Sequence, residues 1–513
     1  MTFYVTTPIY YVNDAPHIGH AYTTVLADVL SRFHRLFGDD AYFLTGTDEH
    51  GQKVQTTAKN RGVDPKAHCD EYVVHFKEIW KVLDINYDFF IRTTDEFHKQ
   101  CVSDCLNDLY SKGLIYESTY EGWYSVSEEM FYTQDELVDG KSPMGKEVVQ
   151  LKEKNYFFKM SQYQERLIQH IKDNPSFIQP EGKQNEVLGF LREPLGDLCI
   201  SRPKSRLAWG VELPFDKNYV TYVWFDALLN YCSAIGLKSH NNDERAKLFS
   251  RYWASATHLI GKDILITHSV YWPAMLMALD VPLPKTIFAH GWWLTDNDKK
   301  MSKSEGPVVK PLDMKDIVGV DGFRYFLMRG MNPSTDGRFS GDLVIARVNA
   351  ELANNFGNLF SRALGLIVKY LNAKIPEAPN ASSQAIALIE LAKRTGGLVK
   401  EDIENIAPQR AIERVLDLFA ETNKYLDTVQ PWSRLKISAD DSVAKESLYV
   451  ALEVLRISAI LLSPVMPSKM QTLLNALGWF EEAEFSDACT WGLLKPGVMV
   501  TKPEALFPRV EGV

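Results

Sequence analysis

The chain has 513 residues, 45% hydrophobic and 24% charged, the balance of an ordinary globular protein. At about 150 residues per domain it should hold roughly three domains, each with room for a core. Disordered, collagen-like and disulfide-framework chains are excluded, and a net charge of −10 means that any nucleic-acid partner must meet a local basic surface.

FYVTTPIYY (3–11) predicts a strand, and AYTTVLADVLSRFHRLFG predicts a helix from the spacing of Val25, Leu26, Val29, Leu30, Phe33, Leu36 and Phe37, with Gly38 as its stop. AYFLTG (41–46) is the next strand, with TDEHG at its end. Strand, helix, strand predicts an α/β fold built on a parallel sheet of the dinucleotide-binding type. Residues 116–222 read as an inserted β-rich module, with YEGWYSVSEEMFY and DGKSPMGK as hairpin sequence and SQYQERLIQHIKDNP as an amphipathic helix. The alternation resumes at YVTYVWFDALLNY (219–231), ATHLIGKDILITHSVYWPAMLMAL (256–279) and KTIFAHGWW (285–293). The sheet domain is therefore expected in two halves, 1–115 and 223–295. A connecting region, 296–345, and an all-α region with an extended tail, 346–513, complete the chain.

The six cysteines form no CxxC pair, which argues against disulfides and cysteine-rich zinc. His68, Cys69, His75, Cys101 and Cys105 lie in helical sequence and are not read as metal ligands. The N-terminus lacks a basic start and an apolar signal core. The greasiest stretch, VALEVLRISAILLSPVM (450–466), is interrupted by Glu453 and Arg456 and predicts a buried helix rather than a membrane span. A soluble protein of the reducing cytoplasm is expected, an organellar matrix being the alternative.

Two local motifs carry chemistry. His17-Ile18-Gly19-His20 lies between a strand and a strongly periodic helix, where two imidazoles join unpaired backbone N–H groups and the positive dipole end to suit a phosphate. Gly19 would allow a ligand close to the backbone. A surface HxxH or a stray zinc pair is the plainer reading. Lys300-Met301-Ser302-Lys303-Ser304 offers two lysines at i and i+3 with flanking hydroxyls, suited to a polyphosphate. A solvated charge run is its plainer reading.

HIGH at 17–20 followed by KMSKS at 300–304 resembles the signature pair of class I aminoacyl-tRNA synthetases. TTPIYYVNDAPHIGHAY, LTGTDEHGQK, YVWFDALLNY, IGKDI, AHGWW, NLFSR and PWSRLK resemble the methionyl-tRNA synthetase family, through essentially the whole chain. The resemblance implies a Rossmann-type catalytic domain, an inserted connective module, a KMSKS loop and stem-contact region at 296–345, and a helical-bundle anticodon domain. It implies a methionine–tRNA ligase, which makes methionyl-adenylate and pyrophosphate from L-methionine and ATP with Mg²⁺, then charges tRNA(Met). By the same resemblance His17, Gly19, His20 and Lys303 would hold ATP, with His17, His20, Lys300 and Lys303 catalytic. Ile9, Asp48, Trp224, Tyr231 and His268 would bind methionine. Asp48 would pair with the α-ammonium and Ile9 would pack on the side chain. Trp224 and Tyr231, seven residues apart, could share one helix face, and a thioether is fond of aromatic edges. Taken singly, these are also plausible core aromatics and a satisfied core histidine.

Zinc-binding relatives carry a CxxC and a Cys-Pro-x-(Cys or His) turn in the module. Ser125, Glu128, Ser142 and Gly145 stand at those positions, so no zinc is expected. Asn358, Arg362 and Trp432 would meet the anticodon, with a core role as the alternative for Trp432. No appended tRNA-binding barrel follows, so a monomer is expected. Leucine, valine and cysteine synthetases compete within the class; a non-catalytic tRNA-binding paralogue and a dehydrogenase compete from outside it. The branched-chain enzymes need a longer editing insertion, the cysteine enzyme wants thiolate ligands, and no GxGxxG follows the first strand.

Overall fold

A computed structural model describes every residue except 14–15, 126–129, 133, 240–243, 296–310, 378–380 and 512–513. β1 (Thr2–Thr6) buries Tyr4, Val5 and Thr6, and β2 (Tyr10–Tyr11) resumes pairing after Pro8, which has no N–H to donate. α1 (Ile18–Leu36) buries the predicted apolar face, and the chain leaves it through Gly38 at φ +82°. β3 (Asp40–Asp48) pairs in parallel with β1, β2 and β4 (Phe89–Arg92). On the other side of β1 lie β6 (Ala256–Gly261), β7 (Thr286–His290) and β5 (Ile178–Gln179), all parallel. β1 thus separates two oppositely wound halves, and in such sheets ligands bind at the carboxyl ends of the strands beside that reversal.

The expected module at 116–222 is not continuous. Ile115–Ser125, Met130–Tyr132, Val149–Phe158 and Leu198–Cys199 form one antiparallel sheet, and Ser201–Pro203, Glu212–Leu213 and Asp216–Thr221 form another. Between them, Gln164–Asp173 and Glu181–Phe190 are helices flanking β5, which completes the main sheet. Leu167 and Ile171 of the amphipathic helix are fully buried in the same apolar cluster as Ile287 of β7. An open apolar edge on β7 needs a partner, and β5 supplies it.

The remainder is helical. Pro311–Arg329, kinked at Gly319, leads through Gly341–Arg347 and a π-helical Val348–Gly357 into Asn358–Tyr370. Ser383–Glu404, Pro408–Val429 and Ser442–Leu462 are the long helices. The last contains residues 450–462 of the greasy stretch, whose end runs on past the helix, and its two charges explain themselves. Glu453 and Arg456 are fully buried and paired at 2.6 Å; Arg456 donates to the carbonyls of Asp487 and Thr490, while Glu453 accepts the N–H groups of Gly492 and Leu494. They stitch the following segment to the helix. Among the described residues no helix is long and apolar enough to cross a membrane. The extended tail bridges back through Lys374 and Met499, and Asn349 hydrogen-bonds Val510.

One buried arginine joins sheet domain and bundle. Arg324 donates through Nη2 to Asp28 of α1 (2.6 Å) and Pro464 O (2.9 Å), through Nη1 to Leu83 O (3.0 Å), and through Nε to Val465 O (2.9 Å).

Candidate functional site

α1 follows the carboxyl end of β1, and the carboxyl end of β7 meets it through His290 and Thr23. His17 is the cap of that helix rather than part of its first turn: its Nδ1 accepts the Gly19 N–H at 3.1 Å, and His20 Nδ1 accepts the His17 N–H at 3.3 Å. A ring nitrogen that accepts carries no hydrogen, so each neutral ring holds its hydrogen on Nε2. The rings stack with centroids 3.8 Å apart. Burial, reinforced by the neighbouring His17, pushes the His20 pKa well below the usual imidazole range. Gly19 is tight: a Cβ there would come within 3.0 Å of the His17 ring.

Asp48, 3% exposed, ends β3. The next residue anchors that end: Glu49 takes both Arg92 Nε (2.6 Å) and Nη2 (2.9 Å) and also accepts from Thr47 and Thr94. Tyr231 is fully buried, and its hydroxyl lies 2.8 Å from His268 Nε2. His268 Nδ1 faces the Ile264 carbonyl at 2.9 Å, so Nδ1 carries the hydrogen and the Tyr231 hydroxyl donates to Nε2. Burial pushes His268 down to about 4, which keeps it neutral at physiological pH. Burial raises the Tyr231 pKa, with the charges of nearby Tyr10 and Asp48 adding to it. The Trp224 ring lies 6.3 Å from that of His268, and Trp224 and Ile9, both half-buried, pack on the cluster holding Tyr231. The structure therefore brings Asp48, Trp224, Tyr231 and His268 together, and packs Ile9 on the same apolar cluster. It does so without the expected continuous helix: Trp224 lies on Val223–Leu228 and Tyr231 on Asn230–Ser233. Lys300 and Lys303 lie outside the described residues.

His290 is the histidine of AHGWW. Its ring is buried at the end of β7, with Nε2 2.7 Å from Thr23 Oγ1 on α1 and Nδ1 2.7 Å from Gly291 O. A Cβ on Gly291 would sit 2.1 Å from the Thr335 carbonyl oxygen, so the chain passes there only as glycine. The available signal was a polar residue ending an apolar strand at the carboxyl side of the sheet.

In the inserted sheets Ser125 and Ser142 are buried, Ser142 Oγ accepts the Lys146 N–H at 3.1 Å, and Gly145 has φ +74°. Glu128 lies outside the described residues. Among the described residues no group of three or more His, Cys, Asp or Glu is placed to hold a metal ion.

Asn358 is exposed on the bundle and borders a cavity of about 440 Å³ lined also by Asn354, Ser361 and Phe507. One turn on, the Arg362 guanidinium lies 4.6 Å from the Trp432 ring centroid and 2.9 Å from Asp427. Trp432 is half-buried at the margin of the bundle core.

A family model described as class I tRNA synthetases (M) matches residues 3–150 and 133–364, and one for the anticodon-binding domain of methionyl tRNA ligase matches 375–512. The methionine–tRNA ligase of Caldanaerobacter subterraneus subsp. tengcongensis is 43% identical over 511 residues, 99% of this chain and 79% of that protein. That of Rickettsia felis is 42% identical over 516 residues, 100% of this chain and 99% of that protein. Mycobacterium tuberculosis methionyl-tRNA synthetase in complex with methionyl-adenylate superposes with a TM-score of 0.93 at 39% identity, covering 99% of this chain and 100% of that one.

Proposed function

We propose residue roles for a chain that belongs to the methionyl-tRNA synthetase family of class I aminoacyl-tRNA synthetases. It is a methionine–tRNA ligase: methionine and ATP give methionyl-adenylate and pyrophosphate, and the methionyl group passes to tRNA. In the first step a methionine carboxylate oxygen bonds to the α-phosphorus as the bond to pyrophosphate breaks. The protein has little covalent work there, so placement and charge stabilisation dominate.

The Nε2–H groups of His17 and His20, set at the positive end of α1, would donate to phosphate oxygens, the His17 side chain itself capping the helix. Lys303, and more weakly Lys300, would hold the charge that moves onto pyrophosphate. The donors at the α1 end are N–H groups, which fit phosphate oxygens rather than a cation, so Mg²⁺ would ride on the triphosphate and neutralise part of its charge. Asp48 would hold the α-ammonium, and Ile9 and Trp224 would flank the side chain. The observation that carries the methionine assignment is the buried Tyr231–His268 pair, a neutral and polarizable floor that answers a thioether and rejects charged side chains.

The test is ATP–pyrophosphate exchange with each of the twenty amino acids, run with Mg²⁺ after treatment with a strong zinc chelator. Exchange with methionine is expected to persist. Exchange with leucine but not methionine would overturn the assignment, and one mole of zinc per mole of protein would overturn the zinc-free reading. Six free thiols suit a protein working in the reducing cytoplasm, and we read the chain as a monomer.

Asn358, Arg362 and Trp432 would meet the anticodon, the half-buried indole stacking on a base with Arg362 beside it. Trp432→Ala should then cost about 1–3 kcal/mol of tRNA binding, roughly 5- to 150-fold in charging efficiency, with adenylation nearly intact. Equal loss of both activities together with a depressed melting temperature would assign the indole to the core instead.

A further inference from the structure

Beneath the pocket a single buried carboxylate ties its parts together. Asp226 has no exposed surface; its Oδ2 lies 2.6 Å from His50 Nδ1 and its Oδ1 2.8 Å from His98 Nε2. His98 Nδ1 lies 2.7 Å from Ser233 Oγ, and the Ser233 hydroxyl donates to the Asn230 carbonyl. Three members sit two residues from a pocket side chain: His50 from Asp48, Asp226 from Trp224, and Ser233 from Tyr231. His98 comes from a separate helix, Glu96–Ser111.

The hydrogen count follows from the partners. A carboxylate only accepts, so His50 Nδ1 and His98 Nε2 both carry hydrogens. His98 Nδ1 then faces Ser233 Oγ at 2.7 Å, which carries the contact on to the Asn230–Ser233 segment that holds Tyr231. Burial alone would raise the Asp226 pKa, but the His50 and His98 imidazoles override it and hold it at about 2.

We propose that Asp226 is a positioning residue for methionine: by bridging His50 to His98, it sets the distance between the Asp48 carboxylate and the Trp224–Tyr231 wall. The proposal rests on the methionine-site reading above. The substrate is gripped at two ends, ammonium and thioether, and those grips lie on different elements. The Asp226 bridge holds them at one spacing without touching the substrate.

Asp226→Asn keeps the shape, but its amide has one acceptor and one donor end, so it cannot accept from both rings. In pyrophosphate exchange the KM for methionine is expected to rise about 10- to 100-fold, as for a sub-ångström to ångström misplacement. The KM for ATP and the kcat at saturating methionine should stay within about threefold, since α1 does not hang from this carboxylate. An unchanged methionine KM in the folded variant would overturn the proposal. So would losses in kcat and both KM values that track a lowered melting temperature, the pattern of a merely structural group. If Asp226→Asn is not recovered folded, His50→Gln severs the link to Asp48 alone and is judged by the same criteria. Failure of the unsubstituted enzyme to exchange with methionine would remove the underlying site reading, whereas normal exchange with an unaffected Asp226→Asn removes only this proposal.

Discussion

Arg324→Ala is expected to lower folding stability by about 3–5 kcal/mol, the scale of a broken buried ion pair. The side chain has no exposed surface, and Asp28, its partner at 2.6 Å, has none either. Four carbonyls, those of Leu83, Asp84, Pro464 and Val465, would lose a donor at once. Asp28 would keep Arg32 and the Asn86 N–H, which softens the loss without removing it. Arg324→Lys should recover little, because a point charge cannot reproduce a planar fork serving five acceptors. Denaturant titration of the three proteins measures this. A loss below about 1 kcal/mol, typical of a surface pair, would show that the bundle and α1 are held by apolar packing alone.

Lys303→Ala should slow adenylation by about 100- to 1,000-fold, equivalent to 2.7–4 kcal/mol of transition-state stabilisation, by analogy with the loss of one oxyanion donor. The lysine is asked to act where charge develops, as pyrophosphate separates, so ground-state methionine binding should barely change. Lys300→Ala should show a smaller effect of the same kind. Single-turnover adenylation with a separate methionine titration distinguishes the cases. An unchanged rate with a raised methionine dissociation constant would place Lys303 at the amino acid rather than the phosphates.

The parts of the fold readable from sequence were those with a strong local period. The β1–α1–β3 run was legible because the apolar spacing of α1 and its glycine stop agree. The buried helix at 442–462 was legible because two charges interrupt its apolar run. The placement of β5 was not legible: two residues carry no period, and their partners Ile287 and Phe288 lie over a hundred positions away. Nor could the Asp226 bridge be read, since its contacts span 176 and 128 residues and no local pattern marks His98 within its helix. Arg324 was hidden in the same way inside IVGVDGFRYFLMRG. The candidate site was legible through motif resemblance, whereas its tautomers and neutral floor needed partners that only the folded chain supplies.

The neutrality of the His17–His20 pair has a consequence for how a triphosphate is gripped. Two uncharged donors, locked by the backbone at the end of α1, would hold anionic oxygens through direction and distance. The lysines at 300 and 303 would contribute net charge, and such contributions weaken as counterions crowd around them, over a screening length of about 8 Å at physiological ionic strength. On the proposed roles, salt would act mainly on the lysine half of the grip. The imidazole half would fix where the α-phosphorus sits, equally well in dilute buffer and in brine.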